Sequence, residues 1–309
     1  MAEQLFQRDI YGKTLIELGK TDPSIVVLDA DLSSSTRTGW FAKEFPQRFF
    51  NFGVAEQNMM ATAGGLASCG KKVFATTFAM FATGRAWDQV RNGAAYNNFD
   101  IKIVATHAGI TVGPDGASHQ AIEDICLMRA IPNMQIIVPC DGPQTKEAIV
   151  AAASNKGPFY VRLGRTKTAT VDNKGVFKFG KAQILSEGND LAIIACGAMV
   201  NEAVSAVKAL AQKGIRCRLI NMHTIRPLDT QAIIDAARTI KGIVVCEEHS
   251  TIGGLGSAVE GVLCEFHPAR VCKVGIKERF GQSGEPEELL KEYGLTAADI
   301  EKAALSLVA

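Results

Sequence analysis

Short apolar runs of strand length alternate with helix-length segments along the whole chain, and this alternation constrains the fold more than any other feature. In the first half the runs fall at residues 25–28, 49–52, 73–76, 101–105, 135–138 and 159–162. Helical patterns lie among them at 4–18, 57–69, 82–96, 121–129 and 144–154. A run such as Ile25-Val26-Val27-Leu28 is apolar throughout, so it reads as a strand buried on both faces, and such strands joined by helices run parallel. Polar residues break the pattern near 166–181, around Asp172-Asn173-Lys174-Gly175, and we place a linker there. A second series follows, with strands at 191–196, 216–220, 242–246 and 271–274 and helices at 201–213, 230–239 and 255–266. Helices near 286–293 and 296–307 complete it, the last opened by Thr296 and Asp299 as a capping pair. The expected fold is α/β in two domains, each a mostly parallel sheet with helices on both faces. The domains are expected at 1–168 and 183–309, with the linker at 169–182; 309 residues suit two such cores.

Composition excludes several classes of function. Lys and Arg total 33 against 32 Asp and Glu, so no net field recruits nucleic acid or an anionic membrane. The best apolar stretch, 191–200, is far too short to span a bilayer. Met1-Ala2-Glu3-Gln4 lacks the charged-then-apolar pattern of a secretory signal. Cysteines at 69, 126, 140, 196, 217, 246, 264 and 272 form no C-x-x-C pair and sit mostly in apolar segments. They read as small buried hydrophobes in a reducing cytoplasm, neither disulfides nor zinc ligands.

Open parallel sheets bind ligands beyond the carboxyl ends of their strands. The residues that follow the first-half strands are polar: Asp29 to Thr36, then Glu56, then Thr76 to Phe81, then His107 to His119, with Leu163-Gly164-Arg165 last. Glu56 stands between an apolar run (Phe49, Phe50, Phe52) and a helix of small residues, where desolvation favours the protonated acid. A neutral carboxyl can donate a hydrogen bond to a cofactor nitrogen. The same residue also reads as an ordinary first-turn Glu stabilised by the helix dipole. The loop from His107 to His119 carries glycines at 109, 113 and 116, Asp115, and two of the chain's five histidines. Glycines permit close backbone approach to a ligand, while the wide spacing of the histidines fits a metal less well. Gly253-Gly254-Leu255-Gly256 lacks nucleotide-fingerprint spacing and reads as a turn.

Together these segments resemble the C-terminal half of thiamine diphosphate-dependent transketolases. Phe52-Gly53-Val54-Ala55-Glu56-Gln57-Asn58 is similar to the family's activating-Glu segment, and Gly113-Pro114-Asp115-Gly116-Ala117-Ser118-His119-Gln120 to its G-x-D-G-x-[ST]-H loop. Arg85-Ala86-Trp87-Asp88-Gln89-Val90-Arg91 matches the helix behind the pyrimidine pocket; Thr224 to Asp229 and Glu247-Glu248-His249 extend the likeness into the second half. The resemblance implies that Glu56 hydrogen-bonds N1′ of the aminopyrimidine and thereby activates the cofactor. Phe81 would stack on that ring with Phe78 nearby. His107 and His119 would bond substrate hydroxyls or the cofactor amine and shuttle protons. Asp115 would hold a sugar hydroxyl. Arg8, Ser35 and Arg165 would grip the sugar phosphate, and Asp31 would support Glu56. From the residues alone, Phe81 reads sooner as core and Arg8 as a solvated helix residue, while Arg165 reads equally as a surface cation. Two departures stand out: the stretch from Phe81 to Arg91 is one residue longer than in some members, and some carry Gln where His119 stands.

The family's diphosphate and Mg²⁺ are held by another domain, marked by Gly-Asp-Gly, and this chain has no such motif. The resemblance therefore implies a split enzyme. This chain would be the β-like subunit, in an α2β2 heterotetramer with an N-terminal transketolase subunit that binds Mg²⁺ and the diphosphate. Its expected reaction moves a two-carbon ketol group from a ketose phosphate to an aldose phosphate. Deoxyxylulose phosphate synthase and the β subunit of 2-oxoacid dehydrogenases share the segment and remain alternatives, as does a non-catalytic regulatory subunit.

Overall fold

The computed structural model describes residues 3–172 and 175–308; Met1 and Ala2 of the N-terminal reading and Asn173 and Lys174 of the expected linker lie outside the described residues. Strands fall at β1 (Gln4–Phe6), β2 (Ile25–Asp29), β3 (Phe49–Asn51), β4 (Lys72–Phe78), β5 (Ile101–Thr106), β6 (Gln135–Ile137) and β7 (Phe159–Arg162). They continue with β8 (Lys167–Ala169), β9 (Gln183–Ser186), β10 (Leu191–Ala195), β11 (Cys217–Asn221), β12 (Thr224–Arg226), β13 (Ile243–Ser250) and β14 (Val271–Ile276). The fold is α/β. A seven-stranded sheet has the order β12-β6-β7-β5-β4-β2-β3, with β2 to β7 paired in parallel. A five-stranded sheet has the order β14-β13-β10-β11-β9, parallel except for β9.

The continuous apolar runs do what their composition requires. Along β2, Ile25 and Val27 enter one core cluster while Val26 and Leu28 enter the other, so helices cover both faces of the sheet. The Val26 cluster runs on into the second sheet through Ile194, Ile220 and Val245, welding the two halves. Burying one such aliphatic side chain contributes about 1.5–3 kcal/mol. Thr296 and Asp299 cap the final helix, Ala297–Val308, through mutual bonds of 2.6, 3.0 and 3.4 Å.

Three expectations change. The helix expected over 4–18 runs from Gln7–Thr21, because Gln4–Phe6 pairs antiparallel with β8 as a two-stranded ribbon. The helix expected over 82–96 is interrupted: Phe81–Arg85 and Val90–Ala95 are wide π-type turns separated by a break at Ala86. A π turn absorbs one extra residue in a helix, which suits the longer stretch noted between Phe81 and Arg91. Lastly, β12 comes from the second half of the chain yet closes the edge of the first sheet, antiparallel to β6.

Candidate active site

Strand order reverses between β2 and β4: the chain passes from β2 outward to β3, then crosses back to β4 on the other side. That reversal opens a crevice at the carboxyl ends of the strands, the usual ligand position in such sheets. After β2 the chain turns through Ser33–Thr36, pinned by the buried Asp29, whose carboxylate accepts bonds from Leu32 N (2.6 Å), Thr36 Oγ1 (2.8 Å) and Thr38 Oγ1 (2.7 Å). After β3 comes Glu56, the first residue of the helix Glu56–Ser68 and 1% exposed.

Glu56 has a charge partner. Arg85 Nη1 lies 3.2 Å from Oε2 and 3.4 Å from Oε1, and the same guanidinium sits 4.8 Å over the Phe81 ring. Sequence reasoning gave Arg85 no role, although its spacing of four from Phe81 places both on one helical face. Phe81 and Phe78 are near-parallel with centroids 6.3 Å apart; Phe78 stacks on His107 at 3.9 Å, and Phe81 meets His119 edge-on at 5.3 Å. A continuous train thus runs from the carboxylate through Arg85 and the aromatics to both imidazoles. Asp31, by contrast, pairs with Asn51 (3.1 Å each way) and makes no hydrogen bond to Glu56 among the described residues.

His107 adopts φ 58°, a left-handed conformation that side chains rarely take, and donates to or accepts from Thr106 Oγ1 at 2.9 Å. Burial, with Arg8, Arg165, His119 and Arg37 around it, lowers its pKa to about 3, so the ring is neutral at physiological pH. Arg8 Nη1 lies 3.5 Å from Ser35 O, and its buried Nε has no protein partner. Burial, then Arg37 and Arg165, lowers its pKa from the ordinary guanidinium value. Arg37, also missed from sequence, bonds Asp9 (2.7 Å) and Ser34 O (2.5 Å), and Arg165 donates to Val112 O of the histidine loop. The guanidiniums of Arg8, Arg37 and Arg165, of which Arg37 is paired with Asp9, make an anion-seeking rim. Asp115 is exposed at the end of the turn Ile110–Asp115, without a hydrogen bond to the other site residues among those described.

The glycine turn before the helix Leu255–Phe266 bonds the chain's own Glu247, through Leu255 N (2.7 Å) and Gly256 N (2.8 Å), leaving no anion site. The eight cysteines are free, and no group of three or more His, Cys, Asp or Glu side chains among the described residues could hold a metal. No helix among them is long and apolar enough to cross a membrane.

Comparison with known proteins agrees with this geometry. Residues 3–170 match the model of the transketolase pyrimidine binding domain, and residues 180–300 that of the transketolase C-terminal domain. A Methanocaldococcus jannaschii protein, provisionally named a transketolase C-terminal section, is 52% identical over 296 residues, covering 94% of this chain and 93% of that one. A 6-deoxy-6-sulfo-D-fructose transketolase subunit from Clostridium sp. is 39% identical, covering 98% of this chain and 94% of the subunit. Human transketolase is 35% identical over all of this chain, which spans 50% of its length. A solved split gene transketolase, described as an inactive β4 tetramer, superposes with TM-score 0.91 at 49% identity, covering 98% of each chain. Matched along both halves, the chain belongs to the transketolase family, which depends on thiamine diphosphate, and corresponds to its C-terminal half.

Proposed function

We propose that this chain is the C-terminal subunit of a split transketolase. With an N-terminal partner subunit it transfers a two-carbon ketol group from a ketose phosphate to an aldose phosphate. The observation that carries this reading is the buried Glu56 at the sheet's reversal point, contiguous with two aromatic rings and two imidazoles. A buried carboxylate beside the partly exposed face of Phe81 suits a planar aminopyrimidine. The sequence lacks the Gly-Asp-Gly motif by which the family holds the diphosphate and Mg²⁺, and the reading assigns both to the partner. The inactive β4 tetramer described for a relative supports the same division of labour, and we infer an α2β2 assembly in the cytoplasm.

When bound, thiamine diphosphate supplies the carbanion chemistry. The chain's own residues orient and polarise. Glu56 would hydrogen-bond the pyrimidine nitrogen, a position where its present partner is the half-exposed Arg85. Phe81 would stack on the ring, with Phe78 nearby. His107, kept neutral by burial, bonds a substrate hydroxyl rather than contributing a charge. His119 shuttles protons at the loop's far end, Asp115 holds a sugar hydroxyl, and Arg8, Arg165 and Ser35 grip the terminal phosphate.

The test mixes this chain with a diphosphate-domain partner and supplies xylulose phosphate or pyruvate as donor. Ketol transfer from the sugar phosphate, absent from either chain alone and abolished by Glu56→Ala, is expected. Strong transfer by the isolated chain, or preference for pyruvate, would overturn the reading.

A further inference from the structure

The second half of the chain carries none of the residues assigned above, yet it grips both ends of the loop that carries His107, Asp115 and His119. At the near end, Glu248 on β13 is 4% exposed, and its Oε1 accepts Thr111 N at 2.7 Å. Gly109 passes so close that a Cβ there would overlap the Glu248 carboxylate. Arg162 Nη2 holds the backbone carbonyl of Glu248 at 2.9 Å, fixing it to the first sheet. At the far end, residues 281–286 lie against the loop. A Cβ on Gly113 would come within 3.2 Å of Gly284 O, and one on Gly116 within 2.6 Å of Ser283 Oγ. Between them sits Gln120, 2% exposed, whose Nε2 faces Gln282 O (2.9 Å), Ile110 O (3.1 Å) and Gly113 O (3.4 Å). One amide therefore ties the loop's first turn, its middle and the second half of the chain.

We propose that the second half serves as the backing that shapes the histidine loop, with Gln120 and Glu248 as positioning residues and the segment 281–286 as the surface against which the loop sets. The loop bends at three glycines, Gly109, Gly113 and Gly116, all at positive φ, and such residues lend a backbone little stiffness. Its shape must come from what it is pressed against. Misplacing a reacting group by about 1 Å costs on the order of 100-fold in rate, so backing and catalysis are coupled.

The proposal rests on the transketolase reading for its kinetic arm alone. Two variants perturb the contact from opposite sides. Gln120→Met keeps the volume and removes the donors; Gly281→Ala, at a backbone position any residue tolerates, places its methyl where the Gln120 amide lies. In the isolated chain, both should speed amide hydrogen exchange of residues 113–119 tenfold or more while exchange in β4 and β5 stays unchanged. In the assembled pair, both should lower kcat about tenfold or more with KM of the phosphorylated donor within about threefold, and the double variant should be no worse than either single one. Unchanged loop exchange in both single variants overturns the proposal, as does a double variant whose losses multiply. A wild-type pair with no ketol transfer defeats the transketolase reading instead, and the exchange arm still decides this one.

Discussion

Replacing His107 by Gln tests the electrostatics of the site without any partner chain. The imidazole is 3% exposed and packed on Phe78, and burial with its cationic neighbours lowers its pKa from 6.5 to about 3. In the unfolded chain the same ring titrates near its ordinary value of about 6.5. The folded value is the lower one, so this contribution is fully present above pH 6.5 and is lost as pH falls toward 3. From pH 7 to pH 5 the unfolded chain takes up a proton that the folded chain refuses, which removes about 2 kcal/mol of folding free energy. His107→Gln retains a hydrogen-bonding side chain and deletes the linkage. His223, whose pKa burial lowers to about 4, acts equally in both proteins and cancels. Urea denaturation of both proteins at pH 7 and pH 5 gives four free energies. The wild type should lose about 2 kcal/mol more than the variant across that interval. Equal losses, or an NMR titration of the His107 ring with a midpoint near 6.5, would refute the argument and with it the neutral-donor role.

The remaining expectations are simpler. Asp124 holds Arg162 through bonds of 2.7 and 3.1 Å and accepts Tyr160 Oη at 2.5 Å, all buried, and the guanidinium keeps its carboxyl ionised against the upward pull of burial. Asp124→Asn strands that guanidinium and should cost roughly 3–5 kcal/mol by chemical denaturation; a loss under about 1 kcal/mol would show that water reaches the pair. Arg165→Leu in the assembled enzyme should raise KM for a phosphorylated donor about 10- to 100-fold, as expected for a lost charge-assisted bond, and leave an unphosphorylated donor unaffected. Arg85→Met leaves Glu56 buried without its cation; with Arg85 half exposed, the expected cost is about 1–2 kcal/mol, measurable by thermal melting with ligand absent.

Elements that bury both faces announced themselves in the sequence. Ile25-Val26-Val27-Leu28 is apolar because two helical layers cover it, and the first sheet's long parallel strands were legible for that reason. Elements fixed by partners far along the chain did not show. The three residues of β1, β8 and β12 are too short to express a period, and each exists because of a strand distant in sequence. The site divided similarly. Glu56, His107 and His119, which the fold gathers into one cluster, stood out because they follow strands, where polar residues among apolar runs are conspicuous. Arg85, Arg37 and Gln120 were not, because a cation or an amide on a helix or loop looks like any solvated side chain until its partner is known. Gln120 lay inside a segment noted for the histidine beside it, and only its burial against residue 282 separates it from a surface glutamine.

The crossing of β12 into the first sheet decides where this polypeptide can be cut. Met222 N still bonds Ala195 O of the second sheet at 2.8 Å, whereas His223 O already accepts Val138 N at 2.7 Å beside the first. Cleavage anywhere between the sheets and separation of the pieces would strip β6 of its outer neighbour, baring a hydrogen-bonding edge that invites strangers. A fragment ending near residue 170 should therefore clump, even with every proposed site residue aboard, and modular engineering of this scaffold must carry both sheets together.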